Sequence, residues 1–346
     1  ERIFDDPINW INKKNYLQNK KKSNLQIQKN FEKIFKKKIH IMLPKINFAT
    51  IFSGGVDSSI VYYFLKKSEF LKSIICINNL GKDKITNAVK NKKFIEFVDY
   101  KKLKVIDVDK DIFSRFYKKT YQNFFSLLPT HDLPGRQNIF EYTKSKKIKV
   151  IFGGDGADEI FGGYEKYKNV FKNIKKAKIY SPYTRINTND AINKEINDLF
   201  IKAYKKYISF TPHKEAVIHA NLFVDYFVQS VGVHNISNDI LCGENSIEIR
   251  SIYLNKDIIK FGLNLPLHLK INQKEIKKNY ILKPLLKKIF INYYGKGLLF
   301  KKIGFSGFPN ESLSVLKLNK YKQFKKFISR YKINKKDKIW NYLNIL

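Results

Sequence analysis

The sequence is poor in residues on which several kinds of protein depend. It has only two cysteines, Cys76 and Cys242, in 346 residues. Two such distant thiols make neither a metal-ligand spacing nor a disulfide framework, and Cys76, set in an apolar run, reads as a small core residue. Sulfur-transfer chemistry, which uses paired or loop cysteines, gains no support from them. No apolar stretch approaches the roughly 20 uninterrupted residues that cross a bilayer. The run Tyr280–Tyr294 is broken by Lys283, Lys287 and Lys288. A signal-peptide pattern is also missing, so the expectation is a soluble, cytoplasmic protein with no membrane partner.

Acidic residues are scarce as well, 30 against 67 Lys and Arg, for a formal net charge of +37. Such an excess raises the idea of a nucleic-acid partner. The basic residues, however, are overwhelmingly lysines scattered as KK and KKK runs among Asn, Ile, Tyr and Phe. A nucleic-acid footprint clusters on one element and leans on arginine forks. We read the lysines as solvated surface, which argues against a nucleic-acid partner.

What is present suffices for a large core: 43% of the residues are hydrophobic, enough for one large domain or two ordinary ones. Residues 1–45 form a lysine-rich lead-in in which Phe31, Ile34 and Phe35 recur at helical spacing, and Pro44 closes it. From there to about residue 170, short β-branched runs alternate with amphipathic stretches. Phe48–Phe52, Ser73–Ile77, Lys104–Val108 and Lys149–Phe152 read as strands, and Ile60, Val61, Phe64 and Leu65 line one side of a helix after the first. Strands separated by helices predict an α/β fold, a parallel sheet with helices on both faces. Residues 171–346 read as mainly helical, punctuated at Pro266, Gly295, Gly304 and Pro309.

Two glycine-rich segments carry the chemistry. Ser53-Gly54-Gly55-Val56-Asp57-Ser58-Ser59 stands between the first strand and its helix. Adjacent glycines let the backbone approach a phosphate, and the free N–H groups of the helix start point at the anion. Ser53, Ser58 and Ser59 add hydroxyl donors. Asp57 would repel phosphate unless it carried a cation such as Mg²⁺; otherwise it or Ser58 is an ordinary helix cap. No Gly-Lys-Ser/Thr closes the loop, so it is not a Walker loop. The other segment runs from Phe152 through Gly153-Gly154-Asp155-Gly156-Ala157-Asp158-Glu159 to Tyr164. It places Asp155 and Asp158 at the end of the fourth strand, where open α/β sheets bind ligands.

The Ser53–Ser59 segment resembles the PP-loop, SGGxDS, of ATP pyrophosphatases, which cut ATP between the α- and β-phosphates. The Phe152–Tyr164 segment resembles the asparagine synthetase signature SGxGxDExFGGY. Together they identify the chain as similar to the synthetase domain of glutamine-hydrolysing asparagine synthetases. Weaker echoes follow. Ser246–Asn255 resembles a family segment in which Glu248, Arg250 and Leu254 agree while Ile252 and Asn255 depart. In His234–Ser237 only the serine agrees, and Leu263–Pro266 resembles a family stretch ending in Leu-Pro. Lys301–Phe305 is similar to the family's R-x-K-x-G-F. These departures fall on the side expected to frame the carboxylate substrate, so aspartate is carried over as the family's default and is not deduced from these residues.

The resemblance implies a PP-loop (adenine nucleotide α-hydrolase-like) fold, with ATP and Mg²⁺ as cofactors. It implies that Asp57 and Asp158 hold Mg²⁺ against pyrophosphate in the nest of Ser53, Gly54, Gly55, Ser58, Ser59 and Gly154. Asp155 then lies beside the acyl-adenylate as proton acceptor from ammonia, and Lys302 contacts phosphates. Adenine would pack near Phe48–Phe52 and Ile75–Ile77. Ammonia normally comes from an N-terminal glutaminase domain with a leading cysteine. That domain is not expected in this chain, which opens at Glu1 rather than Met and so reads as a piece of a longer product; a separate glutaminase or free ammonia is the other source. A homodimer is left open. Lactam-forming synthetases, peptide cyclases and polysaccharide-pathway amidotransferases share the signature. A PP-loop tRNA-modifying enzyme is a further alternative that the Phe152–Tyr164 segment disfavours.

Overall fold

A computed structural model describes residues 5–79, 96–109, 111–112, 115–116, 133–167, 174, 178–179, 190–272 and 281–299. Five strands form one sheet: β1 Phe48–Ile51, β2 Leu71–Asn79, β3 Leu103–Val108, β4 Val150–Gly153 and β5 Glu248–Ser251. Their order is β3-β2-β1-β4-β5, and every neighbouring pair is parallel. The chain is thus an α/β protein of the adenine nucleotide α-hydrolase-like kind. The four expected strands are present, with ends shifted by up to two residues. The fifth lies within the region read as mainly helical, where strand signals fade in the sequence. Glu248–Ser251 pairs with β4 from Val150↔Glu248 to Gly153↔Ser251. Its sequence, EIRS, is short, polar and at the sheet edge, so it carries little apolar alternation to announce a strand.

Strand periodicity divides the core in two. Phe48, Phe52, Ile74, Cys76, Val150 and Phe152 belong to one buried cluster, and Ala49, Ile75, Ile77 and Ile151 to another with Ile139, Phe140 and Leu241. Alternate residues therefore feed opposite faces, each covered by helices, as a doubly covered parallel sheet requires. Cys76 and Cys242 are both buried.

The lead-in is helical, as expected, over Lys13–Lys21 and Asn24–Met42. Ser23 starts the longer helix with a reciprocal cap: its side chain accepts from the Gln26 backbone while the Gln26 side chain accepts from the Ser23 backbone. Ile27, Phe31, Phe35 and Ile39 form the buried stripe. Phe31 lies edge-on to Phe161 with ring centroids 5.5 Å apart, so this helix packs behind the Phe152–Tyr164 segment. One continuous helix, His213–Glu244, is long and apolar enough to cross a membrane by length and composition, yet 67% of its apolar window is buried inside the molecule. Its middle, Tyr226–Asn235, is a π-helical stretch, a wider winding frequent near functional sites.

Candidate functional site

The sheet order reverses at β1: β2 lies on one side and β4 on the other. Helices leaving β1 and β4 diverge from that point and open a crevice at the strands' carboxyl ends. Registers Phe48↔Val150 and Thr50↔Phe152 bring β1 and β4 to the same level, so both glycine-rich segments emerge side by side. A Cβ added at Gly154 would lie 3.3 Å from the Ser58 backbone nitrogen, so the two loops touch.

The loop after β1 is tied by its own hydroxyls. Ser53 and Ser58 Oγ atoms are 3.0 Å apart. The Ser53 N–H donates to Ser58 Oγ at 3.1 Å, and the Gly55 N–H donates to Ser53 Oγ at 3.3 Å. Gly54 has φ +71°, a left-handed conformation that glycine adopts without strain. Gly55 caps the helix Val56–Leu65 without a side-chain bond. Ser59, by contrast, is fully buried, and its carbonyl accepts from the Tyr294 hydroxyl at 2.7 Å.

Asp57 and Asp158 converge on a residue that sequence reasoning passed over. Lys283 Nζ lies 2.5 Å from Asp57 Oδ2 and 2.6 Å from Asp158 Oδ1. The lysine side chain is 5% exposed, the two carboxylates 23% and 22%. Burial alone would lower the Lys283 pKa, but Asp158 and Asp57 outweigh it and raise it above the ordinary lysine value. Lys283 caps the helix Pro284–Tyr294 in the left-handed region, φ 52°, uncommon for a side chain of its size. A Cβ at Gly163 would lie 1.7 Å from Asp158 Oδ1 and 2.1 Å from Lys283 Cε, so any side chain there would displace the Asp158–Lys283 pair. Tyr253, just after β5, donates its hydroxyl to the Asp57 carbonyl at 3.2 Å. Burial, then Asp57 and Asp158, hold its phenol protonated, well above the usual pKa.

Asp155 occupies a separate corner. Arg136 grips it with both prongs, Nη1 to Oδ2 at 3.1 Å and Nη2 to Oδ1 at 3.0 Å. Asn238 Nδ2 donates to Asp155 Oδ2 at 3.1 Å, and Asn238 Oδ1 accepts from Arg136 Nη1 at 3.0 Å. The three side chains come from the helix Leu133–Ser145, the loop after β4 and the helix Ile236–Glu244. Gly156 (φ +93°) turns the chain between the two corners, where a Cβ would strike Leu254 Cδ2 at 2.4 Å. Glu159, next to Asp158, is buried against Tyr164; burial, then the Asp158 charge, raises its pKa.

Of the residues singled out in the sequence, Ser53, Gly54, Gly55, Asp57, Ser58, Gly154 and Asp158 thus gather at one corner and Asp155 at the other. Lys302 lies outside the described residues. Arg250 pairs with Glu248 of its own strand at 2.7 Å and donates to the Met42 carbonyl, bracing β5 against the lead-in helix. Lys283, Arg136, Asn238 and Tyr253 were missed. Arg136 alone carried a signal, as one of the few arginines in a lysine-dominated chain.

Two carboxylate oxygens directed at one cation suit Mg²⁺, which is commonly held by one or two carboxylates plus substrate phosphates. Among the described residues no group of three or more His, Cys, Asp or Glu forms a complete protein-only metal cage. Comparison with curated proteins gives no match. The model of one protein family, Asparagine synthase, matches residues 137–322, more than half of the chain.

Proposed function

The chain belongs to the asparagine synthase family, and from that premise we propose that it adenylates a carboxylate with ATP, releases pyrophosphate, and joins the activated acyl group to ammonia as an amide. The observation that carries the reading is the meeting of Asp57 and Asp158, from two glycine-rich loops, around one cation at the point where the sheet order reverses.

A carboxylate does not yield an amide directly, because oxide is a poor leaving group; transfer of AMP supplies a good one. Backbone N–H groups at the start of the helix Val56–Leu65 receive the pyrophosphate, while the Ser53 and Gly55 N–H groups bond the Ser58 and Ser53 hydroxyls and hold the loop in shape. Ser59, buried against Tyr294, supports the helix rather than the phosphate. Asp57 and Asp158 would hold Mg²⁺, which when bound neutralises charge building on the phosphates. Lys302 would contact the same phosphates.

Asp155 takes the proton that ammonia loses on attacking the acyl-adenylate. Its fork with Arg136 keeps it in place until a substrate carboxylate competes for the guanidinium, freeing an oxygen for that proton. Aspartate remains the default substrate, with ammonia free or delivered by a glutaminase.

Purified protein incubated with ATP, Mg²⁺, ammonium and a panel of carboxylates led by aspartate should release pyrophosphate only with the true substrate. Aspartate-dependent formation of AMP and asparagine establishes the proposed reaction. Turnover with a different carboxylate keeps the chemistry and replaces the substrate. Binding of ATP without turnover of any carboxylate in the panel counts against amide synthesis from small carboxylates.

A further inference from the structure

We propose that Lys283 is a positioning residue for the metal site: a fixed ammonium strut that holds Asp57 and Asp158 as a ready pair before any metal arrives. The inference rests on the reading of those two acids as metal ligands.

Four observations carry it. The ammonium contacts one oxygen from each carboxylate, at 2.5 and 2.6 Å, and so spans two loops that no covalent constraint joins. Its side chain is 5% exposed while the acids are 23% and 22% exposed, so the lysine is the most deeply buried of the three. Gly163 packs closely against Lys283 Cε and Asp158, so closely that a Cβ would overlap both. Its backbone is held in the left-handed region, with its N–H donating to the Lys270 carbonyl at 2.8 Å. A non-glycine residue persists in that conformation where its surroundings over-determine it.

The physical role follows from charge. Two carboxylates facing one another repel in a partly desolvated site and either separate or share a proton. One intervening ammonium offsets that repulsion and keeps the two carboxylates together. Asp57 and Asp158 would then be in place to hold Mg²⁺, whose added charge would favour pyrophosphate. A mobile lysine would instead be a competitor that metal must expel, and the close packing at Gly163 argues against that.

The test is titration of the purified protein with Mn²⁺, an EPR-visible stand-in for Mg²⁺, following the free ion. Lys283→Met should weaken binding at least about tenfold, because the acids must be brought together at the cost of metal affinity. Lys283→Arg, which keeps the charge, should stay within about threefold of wild type. Binding by Lys283→Met that is unchanged or tighter overturns the proposal, since the lysine is then a bystander or a competitor. An equal loss in the arginine variant also overturns it, because charge would not be what matters. If Lys283→Met does not fold, Lys283→Gln takes its place in the same titration, with the same outcomes supporting or overturning the proposal. Asp158→Asn with Lys283 intact separates the two readings: Mn²⁺ affinity equal to wild type there means the acid is no ligand, and the metal reading falls together with the strut.

Discussion

The two corners of the crevice handle charge differently. At the phosphate corner two acids share one cation: Asp57 and Asp158 divide the Lys283 ammonium. At the other corner one acid has one cation: Asp155 is forked by Arg136 and further bonded by Asn238. Two acids on one cation and one acid on one cation are different arrangements, although Asp155 and Asp158 stand three residues apart in one loop. Under the proposed function the first would take a divalent ion and the second would meet the substrate carboxylate.

The largest effect should come from removing one of the two acids at the phosphate corner. Asp57→Asn or Asp158→Asn is expected to lower the rate of pyrophosphate release by about 10³-fold or more, since charge on the departing phosphates loses its metal. A smaller loss would mean that the corner does not carry the metal.

Breaking the Asp155 corner should act on the substrate instead. Arg136→Gln is expected to raise KM for the carboxylate about 10–100-fold while KM for ATP stays within about twofold. Equal changes in both constants would erase the distinction between the corners.

Gly163→Ala tests the same contrast through stability, because its methyl group would overlap Asp158 and Lys283. We expect a loss of about 1–3 kcal/mol in denaturant unfolding, accompanied by weaker Mn²⁺ binding. Arg136→Gln should leave Mn²⁺ binding unchanged.

Lys270 supplies the smallest and most distant contrast, a buried lysine whose ammonium meets His219 Nδ1 at 3.3 Å and no carboxylate among the described residues. Burial lowers its pKa to about 7. Between that value and the ordinary lysine range the unfolded chain binds the extra proton, so stability should rise with pH from about 7 upward. Below about 7 both states are protonated and the burial penalty is fully present. Relative to Lys270→Met, the wild-type protein should gain about 2 kcal/mol between pH 7 and pH 9 in urea unfolding; a constant difference between the two would show that Lys270 titrates normally. Lys283, held by two acids, should show no such gain in that interval.

Most of the sheet was legible because alternation and glycine punctuation are local properties. Phe48–Ile51 and Val150–Gly153 are apolar runs that end in glycine-rich turns, and the helix after β1 shows its buried face in Ile60, Val61 and Leu65. β5 was not legible: EIRS reads as a surface loop, and only pairing with β4 makes it a strand. The acids of the site were legible because carboxylates among glycines at strand ends are unusual in a chain so rich in lysine. Their partners were not. Lys283 is one of many lysines, set in a KPLLKK stretch that resembles the solvated side of a helix. It also lies more than two hundred residues from Asp57 in the chain. Arg136 lies nineteen residues before Asp155 and Asn238 eighty-three after it. Such separations carry no periodicity.

Residue order alone settled the class of fold and the position of the two glycine-rich loops with their acids at the strand ends, because local order sets where strands end and where glycine admits a close approach. The packed chain was needed to show which cation each acid receives, that Ser59 faces the core, and that the segment after β5 supports both loops through Tyr253 and Leu254. A buried charge is stabilised by whichever partner folding brings within about 3 Å, and that is a property of the assembled layers.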